Sequence, residues 1–164
     1  MPEKYLLKCE RQTWRGVEIR DVTEGRGLFA TKEFSKDSIV CNYGGHFVTE
    51  EDAREKLIPF QDKCDYLLEF IVRVERKTLK FYRNHDESTH TLGKFINHSS
   101  LHPNLTTRTY ETRVNQLDVL FIAKKKIPKD SELLWDYGNS YTGVNNCVNS
   151  CSICKRNSWK SRLN

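Results

Sequence analysis

Between Tyr66 and Tyr82, the residues Leu68, Phe70, Val72 and Val74 fall on every second position. That is the repeat of a strand with one covered face, and it excludes an amphipathic helix, whose apolar positions return every third or fourth residue. The segment therefore predicts a strand pair turning near Glu75-Arg76-Lys77, with its alternating face in the core. A second hairpin is expected from Leu105 to Ala123. Thr106, Thr107, Thr109, Tyr110 and Val114 favour strands, Asn115-Gln116 offers a polar turn, and the apolar pattern resumes at Leu117 before Lys124 to Pro128 closes it. Shorter strands are read at Gln12 to Val22, around Val17 and Ile19, and at Ile39 to Tyr43 after the turn Ser35-Lys36-Asp37-Ser38. One helix is expected to start at Thr49, an N-cap with Asp52 three residues on, and to stop near Pro59. A mostly β chain with helical insertions follows.

The 164 residues, 37% hydrophobic and 30% charged, fit one compact domain. No apolar run approaches the roughly 20 residues that a membrane helix needs. Glu3, Lys4, Lys8 and Glu10 interrupt the N-terminus, so a soluble intracellular protein without a membrane partner is expected. Positions 151–164 hold Lys155, Arg156, Lys160 and Arg162 and no acid, and so carry most of the formal charge of +5. Nucleic acid, if contacted, would be met through this basic tail; the other reading is a solvated terminus.

Six cysteines divide into Cys9, Cys41 and Cys64, scattered as small buried residues usually are, and the cluster Cys147, Cys151 and Cys154. The cluster leaves two readings open, a zinc site lacking one ligand or reduced thiols, with His102 as the candidate fourth ligand. Its Cys-x-x-x-Cys-x-x-Cys spacing also matches iron-sulfur radical enzymes. Those carry it near the start of a long barrel, however, whereas here only ten residues follow.

Four motifs carry chemistry. Gly25-Arg26-Gly27, Asn42-Tyr43-Gly44-Gly45, Phe95-Ile96-Asn97-His98-Ser99 and Glu132-Leu133-Leu134-Trp135-Asp136-Tyr137-Gly138 occur in that order. In order and spacing they resemble the signature of SET-domain protein lysine methyltransferases, from about Val17 to Gly138. The string Leu92 to Ser99 is most similar to the short enzymes that monomethylate histone H4.

The resemblance implies a fold of short strands in which the segment around Asn97 and His98 is threaded by the C-terminal motif into a knot-like core. It implies an N-terminal flank at 1–16, a SET domain at 17–140 and a cysteine-containing basic tail at 141–164. S-adenosylmethionine would be the cofactor, with zinc in the tail as the second candidate. Tyr137 matches the catalytic tyrosine, and Tyr43 the tyrosine lining the lysine channel, where glycine lets backbone approach closely. Gly25, Arg26 and Gly27 resemble the loop that holds the cofactor's methionine part. Asn97 and His98 match its polar contacts, and Tyr66 a cofactor-side aromatic, with core packing as the rival reading.

Three departures stand out. Asn42 replaces the usual glutamate, Lys94 stands where arginine is common, and Trp135 occupies the position that governs how many methyl groups the channel accepts. Its bulk points to monomethylation. The expected partner is a protein lysine, in a histone tail or nucleosome, with Glu50, Glu51, Asp52 and Glu55 hinting at a surface for basic peptides. A nuclear location follows, the cytoplasm being the alternative. The rival function is a SET-fold module, weak or inactive in catalysis, that holds a peptide or chromatin.

Overall fold

The computed structural model describes residues 2–23, 25–57, 66–74, 76–86, 89–114 and 116–137. Its elements run α1 (Glu3–Arg11), β1 (Val17–Val22), β2 (Gly25–Ala30), β3 (Ile39–Asn42), β4 (His46–Val48), α2 (Glu50–Asp52), β5 (Leu68–Val74), β6 (Lys77–Asn84), β7 (Asn97–His98), β8 (Leu105–Glu111), β9 (Leu117–Ala123) and β10 (Leu134–Trp135). Strands dominate these elements, the mostly β architecture that the sequence predicts.

Three sheets share the work. The main sheet has the order β3-β9-β8-β10-β7, flanked by the β1-β2 hairpin and by a smaller sheet β4-β6-β5. Strand β9, between β3 and β8, is buried at every residue from Asp118 to Ala123, so neither of its faces meets water. Phe121, Leu28, Ile96, Leu105, Ile127 and Leu133 are among the most enclosed side chains of the core.

β10 pairs in parallel with β7 on one side and with β8 on the other. Since β7 and β8 are consecutive, the connection 99–104 must bridge across β10. Strand β10 is thereby held beneath an earlier loop, the knot-like arrangement that the resemblance implied. Asn104 fastens it: its amide nitrogen donates to Glu132 O at 2.7 Å and its Oδ1 accepts from Leu134 N at 2.9 Å.

Four expectations need correction. Gly25-Arg26-Gly27 is not a loop but the start of β2, paired through Val22↔Gly25 and Arg20↔Gly27; the left-handed φ of +122° at Gly25 ends the turn there. The helix expected from Thr49 is short. Thr49 does cap it, accepting from Asp52 N at 3.1 Å, but after Asp52 the chain passes into a π-helical turn, Ala53–Leu57. The longer helix is α1, inside what reads as a charged flank. Tyr5, Leu6 and Cys9 turn to the core at helical spacing, but the charged residues among them read as a flank. Finally, the alternating face of β5 is fully covered only at one end: Leu68 is buried, while Phe70 and Val72 are half-buried.

Candidate active site

The aromatic residues expected at a channel converge. Tyr43 follows β3, Trp135 lies on β10 and Tyr137 two residues beyond it. Together with Tyr66, Leu67, Leu68 and Lys94 they line a narrow cavity of about 20 Å³, little more than one water's width. Tyr43 donates its hydroxyl proton to Tyr66 O at 2.6 Å, and Tyr137 donates to Ile96 O at 2.5 Å. With both protons spent on carbonyls, each oxygen meets a group in the cavity as an acceptor. The Trp135 ring lies 4.8 Å from that of Tyr137 and 5.3 Å, edge-on, from Phe121, which fixes its orientation.

His98 holds the catalytic candidate in place. Its Nδ1 accepts the backbone N–H of Tyr137 at 3.1 Å and its ring lies 5.1 Å from the Tyr137 ring. One ring nitrogen is therefore committed to the protein itself. Asn97 is buried and its amide donates to Arg26 O at 3.2 Å and to Glu132 Oε1 at 2.9 Å. The clamp packs closely on Gly27, where a Cβ would lie 2.8 Å from Glu132 Oε1 and 3.1 Å from Asn97 Nδ2 and would have to displace them.

Next to the clamp, Arg26 and Lys94 lean on the same Phe95 ring, at 4.6 and 5.5 Å. Burial, and then the Arg26 charge, hold the Lys94 ammonium below its ordinary pKa. Two neighbouring cations of this kind would be relieved by an anion. Lys94 is further tied by a 2.9 Å bond to Thr89 O. Tyr66 is 40% exposed at the cavity rim, 5.7 Å from Lys94, so the core-packing reading of it does not hold.

Asn42 belongs to a different assembly. It is 1% exposed and collects the indole N–H of Trp14 at 2.7 Å and the amide of Gln12 at 3.0 Å on its Oδ1, while its own amide reaches Asp118 Oδ2 at 2.9 Å. Asp118 also accepts from the Tyr110 hydroxyl at 2.8 Å and from Gly44 N at 3.1 Å. The segment that follows α1 is thus joined to strand β3 by polar bonds, of which the buried Trp14–Asn42 bond is expensive to leave unmade. Asp118 carried a signal, a charge inside an apolar strand. Trp14, Gln12 and Arg83, which donates to Leu117 O and Gly45 O, carried none.

His85 was equally unannounced. It is 4% exposed, its ring is 4.7 Å from that of Tyr43, and its Nδ1 lies 3.1 Å from Thr89 Oγ1 and 3.0 Å from Thr91 Oγ1. Burial, and then the nearby Lys94 charge, press its pKa down to about 4.

On the acidic face around α2, Glu50 is paired with Arg54 and Asp52 with Lys56 at the surface, while Glu51 and Glu55 are exposed. Cys9 and Cys41 are buried, as their scattering suggested. Cys147, Cys151 and Cys154 lie outside the described residues; among the described residues no cluster of three metal-ligating side chains occurs.

A family profile describing the SET domain matches residues 25–138, most of the chain and all four motifs. The chain belongs to the SET-domain family. Its SET domain is 31% identical over 121 residues to Histone-lysine N-methyltransferase set-1 of Caenorhabditis elegans, covering 73% of this chain and 49% of that protein. It is 28% identical over 126 residues to N-lysine methyltransferase KMT5A-A of Danio rerio, covering 76% of this chain and 36% of that protein. The chain thus spans half or less of these relatives. Among solved structures, CpSET8 from Cryptosporidium superposes with a TM-score of 0.66 at 23% identity, over 84% of this chain and 67% of that one. ATXR5 in complex with histone H3.1 mono-methylated on R26 gives 0.62 at 16%, over 84% and 63%. Both share the SET fold.

Proposed function

We propose that this SET domain is a protein-lysine methyltransferase that adds one methyl group, from S-adenosylmethionine, to a histone lysine in the nucleus. The observation that carries this reading is the convergence of Tyr43, Trp135 and Tyr137 on one cavity of about 20 Å³. When bound, S-adenosylmethionine supplies a methyl group on a positively charged sulfur. What remains for the chain is to bring a neutral amine in line with it.

A free lysine amine of pKa about 10.4 costs about 4 kcal/mol to neutralise near pH 7.5. The aromatic walls of Tyr43, Trp135 and Tyr137 strip the hydration that stabilises the ammonium, which lowers that cost. The Tyr43 and Tyr137 oxygens, their protons donated to Tyr66 and Ile96, accept the amine's N–H groups and so aim its lone pair down the channel. Trp135 closes the remaining space, which favours a single methyl. Gly27, Asn97 and His98 support the cofactor side as backbone and clamp, and Arg26 with Lys94 matches the carboxylate that an amino-acid moiety carries.

Histone proteins are the first substrates to try, because the named relatives act on histones or protein lysines. Incubation with labelled S-adenosylmethionine, core histones and nucleosomes is expected to give monomethyl-lysine. Tyr137→Phe, which removes an acceptor and a hydrogen bond to Ile96, should lower kcat at least about 100-fold. Mainly trimethyl product would refute the role of Trp135. Cofactor binding without transfer to any substrate would favour a module that only holds a peptide.

A further inference from the structure

Tyr43 is pinned at its hydroxyl by Tyr66 O, but a ring held at one end still tilts, and tilt sets the width of a channel this narrow. Against the Tyr43 ring, outside the residues that line the cavity, lies His85, with ring centroids 4.7 Å apart and planes tilted by 59°. Phe121 braces the same ring at 6.4 Å. His85 is not part of the cavity wall and touches nothing inside it.

Its own position is fixed from three directions. Thr91 and Thr89 hydroxyls bracket Nδ1. The Tyr43 backbone bonds to the imidazole as well. Gly45 closes over it so tightly that a Cβ there would lie 2.8 Å from His85 Cε1, and the left-handed φ of +78° keeps that position for glycine. Asn84 and Asp86 flank a residue whose side chain is thus sealed inside, 4% exposed. An enclosed imidazole that makes no ion pair among the described residues, packed at a tilt against a channel tyrosine, has a mechanical part to play.

We propose that His85 is a positioning residue that holds the Tyr43 ring forward and thereby limits the number of methyl groups the channel admits. This rests on the methyltransferase reading above. Closely packed interiors transmit such displacements because there is no free volume to absorb them. Removing the imidazole lets Tyr43 fall back by tenths of an ångström to an ångström, comparable to the room that a second methyl on the amine requires.

The test compares wild type, His85→Ala and His85→Phe on one lysine substrate, reading methyl states by mass spectrometry together with kcat and KM. His85→Ala should shift the product from monomethyl toward dimethyl by at least about tenfold in ratio, with KM for S-adenosylmethionine unchanged within about twofold. His85→Phe, which restores a ring behind Tyr43, should return the product to monomethyl. Tyrosine ring resonances from selectively labelled protein supply a readout independent of turnover: those of Tyr43 should move, and its ring should flip faster, only in His85→Ala. A folded His85→Ala protein that keeps the wild-type methyl ratio overturns the proposal. Unchanged Tyr43 resonances overturn the positioning role whatever the activity, whereas a wild type that transfers no methyl at all while Tyr43 still responds overturns the proposed function and the product-limiting role with it.

Discussion

His85 also makes stability depend on acidity in a way that can be sized. In the folded chain its pKa is about 4, against an ordinary 6.5, because burial and the Lys94 charge disfavour the imidazolium. The unfolded chain therefore binds a proton that the folded chain refuses between those values. The contribution is fully present above about pH 6.5 and is lost as pH falls toward 4, the direction expected when a folded-state pKa is depressed. The full shift corresponds to about 3 kcal/mol, of which about 2.5 is gone by pH 4.5. Urea unfolding of wild type and His85→Phe at pH 7 and pH 4.5 isolates it, because the carboxylates titrate alike in both proteins. The stability of wild type relative to the variant should fall by about 2.5 kcal/mol between the two conditions. A difference that stays constant within about 0.5 kcal/mol would mean that the folded site accepts the proton, and the picture of a sealed imidazole behind Tyr43 would be wrong.

Other perturbations probe the framework around the channel. Asn42→Ala strands the Trp14 indole and a face of Asp118, and should cost about 3 kcal/mol in chemical denaturation; a loss below about 1 would show that the network is not cooperative. Gly93→Ala places a Cβ 2.5 Å from Asn42 O and 2.6 Å from Tyr43 Cα, so it should destabilise by about 3 kcal/mol, read as a lowered Tm, and an unshifted melting curve would refute that close approach. Burial pushes the Cys9 thiol up to about 11 and the Cys41 thiol higher still, so neither should react with a thiol reagent at pH 8 before unfolding; peptide mapping that finds either labelled in the native protein contradicts their burial.

The correspondence between sequence and structure is uneven, and the unevenness has a cause. Hairpins β5-β6 and β8-β9 were legible because a strand repeats every two residues and a polar turn interrupts the repeat locally. Helix α1 was not, since its amphipathic signal rests on three residues facing a core built from distant strands. Gly25-Arg26-Gly27 read as a loop because glycines are the residues of loops; pairing with β1 made it a strand. Cys64 and the cluster at Cys147, Cys151 and Cys154 lie outside the described residues.

By itself the sequence determined the family and singled out three aromatic residues that line one cavity. Tyr43, Trp135 and Tyr137 sit in local strings whose order is enough to identify them. Tertiary structure alone decided what stands behind those residues. His85 reaches Tyr43, Asp118 reaches Asn42 and His98 reaches the Tyr137 amide across 42, 76 and 39 positions of chain. Such contacts exist only once strands distant in sequence are paired within the main sheet, or the small sheet is packed near it, because a buried hydrogen bond or ring contact is selected by the space around it rather than by its neighbours in sequence.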